Sequence, residues 1–501
     1  MDECNGWGYG HASDGQRNQL AEQIVDQAWD CVRSTLVTSL QVFLGRAISP
    51  RSFYELELAL LEIVRKLGRS VLQATLQSLE PTDSTQAPKS VFFRSGGYRR
   101  RGDRTPNRSL ATRFGKIILW RNGYRSWTRG EETIFPLELM LGLVENVSPA
   151  MLDLIGKTHA STGRSQRETL AMVGEQTGVS MGVKRLRTCV QELAQRLEPL
   201  RRKHQVDSLL AMLDLANQSG GSRKPVLSVG RDGINLGHRG GYYEVATTGT
   251  VSVFDRRGKR LGTIYLAHPP ELGQGTMDSM LTELLNELFE RYQGRLPRLA
   301  YVTDSGSQET DYFQRFLRKM KHPLTGKKLD WIRVADFYHV SERVWAMADA
   351  LFSEDERASA HAWAKRMLKE LKRPSGASRV LHSAASLVSR RDVTGKQLES
   401  FWKAYNYIRK RTQYMKYAEY ARVNIPLGSG VTEAACKNVF TQRLKLSGMR
   451  WSHQGAQQIL TLRTILLSRT WQSTFEASLD AYLHKIRTYA QNQSSTQAVA
   501  A

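Results

Sequence analysis

Three acidic residues stand where chemistry could be done. Asp232 closes the apolar run Pro225-Val-Leu-Ser-Val-Gly-Arg-Asp-Gly, and Asp304 closes a second, Arg298-Leu-Ala-Tyr-Val-Thr-Asp-Ser-Gly. Glu433 opens a helical segment after the Gly-rich turn Ile425-Pro-Leu-Gly-Ser-Gly-Val-Thr-Glu. Two carboxylates at the tips of neighbouring strands and a third at a helix start would make a site for hard divalent cations, which take oxygen ligands. Two Mg2+ ions about 3.5–4 Å apart can activate a water or hydroxyl on one side of a phosphorus and steady the departing oxygen on the other. Asp232 would bridge both ions, Asp304 and Glu433 would hold one each, and Mn2+ could substitute. Clustered carboxylates repel one another until a cation neutralises them, so such a site would be weakly ordered without metal. Each residue also has a plainer reading. Asp232 before Gly233 could form a turn, Asp304-Ser-Gly could end a strand, and Glu433 could favour a helix N-terminus. Only their convergence decides for chemistry.

The elements that must position them are legible between residues 224 and 340. A strand at 225–232 is followed by Tyr242–Val253, a turn at Asp255-Arg-Arg-Gly258 and Leu261–Ala267, an antiparallel meander. Met280, Leu281, Leu284, Leu285, Leu288 and Phe289 then fall on one helical face. A strand at 298–303, a helix through Tyr312, Phe313 and Phe316, the strand Trp331-Ile-Arg-Val and a helix after Asp336 complete the order β-β-β-α-β-α-β-α. Strand-helix-strand units imply right-handed parallel crossovers. The fold class is therefore mixed α/β, with the first and fourth strands side by side. This is the ribonuclease H-like arrangement, and it would join Asp232 to Asp304.

The flanks divide into an N-terminal helical region (1–85), a basic β-element (86–134) and a helical, helix-turn-helix-like domain (135–218). After the first part of the core (224–340) come an all-helical insertion (341–424), the core helix carrying Glu433 (425–475) and a C-terminal helix with a polar, frayed tail (476–501). Trp345, Trp363 and Trp402 are the expected packing anchors of the insertion. No internal repeat is present.

The chain carries 72 Lys plus Arg against 48 Asp plus Glu, a net charge of +24 that favours a polyanionic partner. Residues 89–130 hold twelve Lys or Arg and one acid, Asp103. They read as two or three short strands with turns at Gly115 and Asn122-Gly123. Arg99, Arg100, Arg101 and Arg104 lie among Tyr98, Phe114, Trp120, Tyr124 and Trp127, a pattern suited to tracking a phosphate backbone and stacking on bases. In the helix-turn-helix-like stretch, Ser165 and Glu168 fit a capping box, Gly178 the turn and Ser180 the cap of the next helix. There Lys184, Arg185 and Arg187 would face a groove or its phosphates. Arg409 and Arg411 end the insertion in a basic, aromatic stretch. The alternatives are solvated arginines around an ordinary small β-element and ordinary helix pairs. Four cysteines (Cys4, Cys31, Cys189, Cys436) lack CxxC spacing, which excludes a zinc-finger or disulfide framework and suits a reducing cytosol. No apolar run approaches the roughly 20 residues needed to span a bilayer, and the N-terminus has no signal-peptide core.

Gly428-Ser-Gly-Val-Thr-Glu-Ala-Ala-Cys-Lys, followed by Gln442-Arg-Leu-Lys-Leu-Ser-Gly-Met-Arg-Trp-Ser, resembles the C-terminal signature of bacterial insertion-sequence transposases of the DDE class, the Kra-type family, itself distantly similar to Mutator-type enzymes. The likeness covers roughly residues 90–470 and is strongest at 425–463 and 298–340. It implies that Asp232, Asp304 and Glu433 are metal ligands. Asp336-Phe-Tyr-His339 resembles an Asp-x-x-His motif of such enzymes, where His339 would touch a phosphate or order the site; a purely structural histidine is the alternative. Arg443, Lys445 and Arg450 would meet phosphates or the core. Relatives often carry paired cysteines near Tyr124–Pro136, and this chain has none there, so no zinc is expected.

The expectation is a cytoplasmic, nucleoid-associated bacterial transposase that binds its element's inverted repeats and target DNA as at least a homodimer. It would perform Mg2+-dependent cleavage and strand transfer. The alternatives are a transposase-derived DNA-binding protein that does not cleave, and a ribonuclease H-like nuclease or resolvase that does not join. A tyrosine or serine recombinase would not need this carboxylate trio.

Overall fold

In a computed structural model the described residues are 13–83, 86–128, 130–161, 165–237, 243–482 and 486–488. Cys4, Tyr242 and the polar stretch after residue 488 lie outside them. The fold is mixed α/β. It divides into two compact units, one taking in the chain up to His159, residues 164–197 and the chain from Phe475 onward, the other residues 160–163 and 198–474. The boundary falls inside one continuous helix, Val183–Gln218, so the helical region expected at 135–218 is shared between the units.

The second unit is built on a five-stranded sheet. In chain order its strands are Val226–Gly237, Tyr243–Phe254, Arg260–His268, Arg298–Thr303 and Trp331–Ala335, and their spatial order is third, second, first, fourth, fifth. The first three pair antiparallel, and the first, fourth and fifth pair parallel. The first and fourth strands lie side by side, as the pattern predicts. The first runs further than expected: it continues to Gly237, paired residue for residue with the second strand from Val226↔Phe254 to Gly237↔Tyr243. Asp232 therefore sits inside a ladder, opposite Thr248, and not at a strand tip or a turn.

Successive side chains of a strand point to opposite faces, and the sheet has two cores accordingly. On one face Leu227, Val229, Leu299 and Tyr301 pack under Val206, Leu209 and Leu213 of the long helix, the crossover helix Gly275–Arg291 and the helix Ser307–Arg315. On the other, Val226, Ala300, Val302 and Val334 pack under the helices Phe337–Leu351, Arg357–Leu371, Gly376–Val388 and Gly395–Arg411. Trp363 is buried there and Trp345 partly so, but Trp402 is 40 % exposed and is not an interior anchor.

In the first unit the helices Asp14–Leu44 and Pro50–Ser78 form a long hairpin, each opened by a serine capping box, Ser13 with Gln16 and Ser49 with Ser52. The basic stretch that follows holds seven short strands, more than the two or three expected, and its turn at Gly115 has φ 121°. The C-terminal residues Ile486–Thr488 pair antiparallel with Ser90–Phe93, so this part of the tail is a strand and not frayed. Tyr98 and Tyr124 are core residues, and Phe114, Trp120 and Trp127 are exposed. The Ser165–Glu168 capping box is present, and Gly178 ends that helix in the left-handed region. Ser180 caps nothing: the next helix starts at Val183 and runs 36 residues.

Candidate functional site

Strand register and pleat bring the first two carboxylates together. The parallel pairing Tyr301↔Val229, continued by three residues, sets Asp304 beside Asp232. Both then point to the face of Gly230 and Val302. The helix Gly430–Cys436 descends on that face, because Gly230 has no side chain: a Cβ there would collide with Thr432 Oγ1. Thr432 and Thr250 share a buried hydrogen bond of 2.8 Å that fixes the approach. Glu433, next along the helix, is thereby carried to the same end of the sheet.

Asp232 Oδ1 accepts the Gly233 N–H at 2.7 Å, and the Cys436 thiol donates to Oδ2 at 3.3 Å. Burial pushes the Asp232 carboxyl above its ordinary range. The two hydrogen bonds oppose that shift, and the charges of Asp304 and Glu433 add to it. Repulsion from both partners is direct evidence that the three carboxylates share one electrostatic neighbourhood. Asp304 Oδ1 accepts the Gly306 N–H at 2.9 Å, so the strand-end turn is real for one of its oxygens. Glu433 Oε1 accepts the Ser429 hydroxyl at 3.0 Å and lies 3.6 Å from His339 Nε2.

A second layer holds these groups in place. Asp336 is fully buried and spent on hydrogen bonds: Oδ1 accepts Tyr338 N–H at 2.5 Å and His339 N–H at 3.0 Å, and Oδ2 accepts the Ser429 backbone N–H and, at 2.5 Å, its hydroxyl. It caps its own helix and pins the turn that presents Glu433. His339 bridges Glu433 and Glu342, whose Oε2 is 3.2 Å from Nδ1. Burial disfavours the imidazolium, but the Glu342 hydrogen bond and the surrounding carboxylates outweigh it and raise the His339 pKa. The insertion braces Asp304: Tyr407 donates to the Asp304 carbonyl at 2.5 Å, and Arg411, 4.0 Å from the Tyr407 ring, donates to the Ser305 carbonyl at 2.7 Å. Ser305 needs the bracing, because it is fully buried and holds φ 64°, a conformation few non-glycine residues adopt without support.

Sequence reasoning missed a fourth carboxylate. Glu309, in the first turn of the helix after Asp304, is nearly buried. Burial, reinforced by the charges of Asp304 and Asp232, lifts its pKa to about 7, with Arg231 pulling the other way. Its spacing from Asp304 is unremarkable in sequence, and only burial marks it. A carboxyl whose pKa is raised on folding binds more protons in the native state than in the unfolded chain between the two pKa values, so stability falls as pH rises through that window. In metal-free buffer the protein is expected to lose up to about 3 kcal/mol between pH 4.5 and 7 through this group, and Glu309→Gln to flatten that slope. Denaturant unfolding across that range reads it. An unchanged slope in the variant would remove Glu309 from the cluster.

The oxygen-rich set fits divalent cations. Each carboxylate keeps lone pairs beyond those already bonded, and surplus negative charge is what a cation would neutralise. Among the described residues no three His, Cys, Asp or Glu side chains stand close enough to hold a single ion. That is compatible with Mg2+, which keeps several waters and takes one or two carboxylates.

The cations assigned to DNA fare unevenly. Arg99, Arg101, Lys184, Arg409, Lys445 and Arg450 are exposed, and Arg104 is half-buried. Arg100 donates to the Ala87 carbonyl at 2.6 Å, Arg185 to those of Glu145 and Asn146, and Arg187 to Gln166 Oε1. Arg411 serves Ser305, as above. Arg443 is 1 % exposed, 5.3 Å from the Trp451 ring, and lies in the interior, not on a DNA-facing surface. Its neighbour Arg463, also buried, donates to the carbonyls of Asn438 and Val439, which belong to the wide helical turn Lys437–Thr441 just past Glu433. Burial and then the Arg443 charge lower the Arg463 pKa to about 10.

No protein-family model matches the chain. A protein of Streptococcus gallolyticus described as "UPF0236 protein in vanSb 3'region" is 25 % identical over 371 residues, which cover 72 % of this chain and 73 % of that protein. Among the described residues no helix is long and apolar enough to cross a membrane.

Proposed function

We propose that the protein is a DNA transposase of the DDE class, built on a ribonuclease H-like core and similar to the Kra-type insertion-sequence enzymes. The observation that carries the reading is the arrangement of Asp232, Asp304 and Glu433: two on one face of adjacent parallel strands, the third lowered onto that face by the Gly230–Thr432 contact. The 3-2-1-4-5 strand order and the helical insertion before Glu433 support it.

Asp232, Asp304 and Glu433 would hold two Mg2+ or Mn2+ ions, which supply the Lewis acidity for cutting a phosphodiester and for in-line attack of the freed 3′-hydroxyl on target DNA. The residues around them orient the ligands. Cys436 and the Gly233 amide fix the Asp232 carboxylate, Ser429 and His339 fix Glu433, and Tyr407 with Arg411 fixes the Asp304 turn. No covalent protein intermediate is needed. The +24 charge, concentrated in part at residues 89–130, would hold element ends and target.

The test is a nicking and joining assay on DNA carrying the element's own ends. Magnesium-dependent 3′-end cleavage silenced by EDTA, with joined products from pre-cut ends, is the expected result. Binding without cleavage would replace the reading with a non-cleaving DNA-binding protein, and cleavage without joining with a nuclease or resolvase.

A further inference from the structure

The hairpin of Asp14–Leu44 and Pro50–Ser78 exposes more apolar surface than any other part of the described chain. Its helices are 31 and 29 residues long, yet only Ile24, Ala28, Val32, Ser52 and Ile63 are buried in it. Thirteen of the 24 exposed large hydrophobic side chains of the described residues lie between Leu20 and Val64. At helical spacing Trp29, Leu40 and Leu44 flank the buried seam of the first helix, and Tyr54, Leu58 and Leu61 that of the second. Each apolar stripe is therefore about twice as wide as the face that the partner helix covers. Half-exposed side chains of this size each present roughly 100 Å², so the thirteen together offer on the order of 1,000 Å². The largest apolar patch of a typical monomer is about 300–600 Å², and a stable interface takes about 800 Å² from each partner.

Charge decides what covers it. The protein as a whole is strongly basic, but Asp14–Ser78 holds seven Asp or Glu and seven Lys or Arg. A neutral apolar surface gives a polyanion nothing to hold, and two copies of it meet without the repulsion that the rest of the chain would bring. We infer that the hairpin is a self-association element: a second copy of this chain docks its own hairpin on the exposed stripes, as an isologous two-fold contact. The inference stands on the hairpin alone and not on the transposase reading.

The full chain, freed of nucleic acid, is expected to sediment as a dimer at micromolar concentration and to stay dimeric in molar salt, because the contact is apolar. The double variant Trp29→Glu, Leu61→Glu should weaken association on the order of 100-fold or more and sediment as a monomer. Both side chains are already nearly half exposed, so the hairpin's helical circular dichroism should be unchanged. Should the charged variant misfold, Trp29→Gln with Leu61→Gln reads the same dissociation. A wild-type chain that is monomeric at these concentrations, or a dimer untouched by either pair of substitutions, overturns the inference. So does a dimer that dissociates in molar salt.

Discussion

Asp232→Asn is expected to abolish magnesium-dependent cleavage, by on the order of 10³-fold or more, and at the same time to raise the melting temperature of the metal-free protein. The two effects share one cause. Asp232 sits partly buried with Asp304 and Glu433 repelling it, and its carboxyl is already displaced upward by burial and by those charges. Asparagine removes the repelled charge and keeps the shape. Its oxygen still accepts the Gly233 amide, and its NH2 turns toward the Cys436 sulfur. What it loses is the capacity to hold a cation. Asp304→Asn and Glu433→Gln should silence cleavage to a similar degree, and all three variants should bind element ends as the parent does, since the carboxylates add nothing to phosphate affinity. Cleavage assays with and without magnesium, end-binding titrations and thermal melts in EDTA check this. Full cleavage by any of the three sinks the assignment of that residue, and loss of end binding in all three would mean that the site organises DNA binding instead.

How much of this was legible beforehand follows from which interactions are periodic. The sheet was readable because alternation and crossovers are repetitive signals, and the parallel register that aligns Asp304 with Asp232 follows from two apolar runs ending in the same residue type. The extension of the first strand to Gly237 was not readable: Asp232-Gly233 looks like a turn unless the second strand is known to pair across it. Glu309 is an ordinary first-turn glutamate in sequence, and only its burial beside Asp304 makes it part of the cluster. The arginines show the same limit. Arg411 and Arg443 look like any surface cation along the chain, yet one is bound to the Ser305 carbonyl and the other is buried against Trp451. Charge counts report the partner of the whole protein well and the partner of a single guanidinium poorly. The strand Ile486–Thr488 was invisible because it is three residues long and pairs with a segment some 400 positions earlier.

The same distinction between ligand and scaffold predicts a change of the opposite sign at Asp336. Its carboxylate, with no exposed surface, accepts hydrogen bonds from two amides of its own helix and from the amide and hydroxyl of Ser429. Asparagine cannot replace it, because its NH2 would face donors where Oδ2 now accepts. Asp336→Asn or Asp336→Ala is therefore expected to cost about 3–5 kcal/mol, the range for breaking a buried, multiply bonded charged group, read by denaturant unfolding. Cleavage should fall as well, because Ser429 would no longer be fixed where it meets Glu433. Ser429→Ala, which removes the hydroxyl and leaves the amide bond, should cost only about 1 kcal/mol and leave partial activity. Melting temperature tells the two roles apart: neutralising a repelled ligand stabilises the metal-free protein, and neutralising a satisfied keystone unfolds it. An Asp336→Asn protein as stable as the parent but unable to cleave would move Asp336 out of the scaffold and into the reaction.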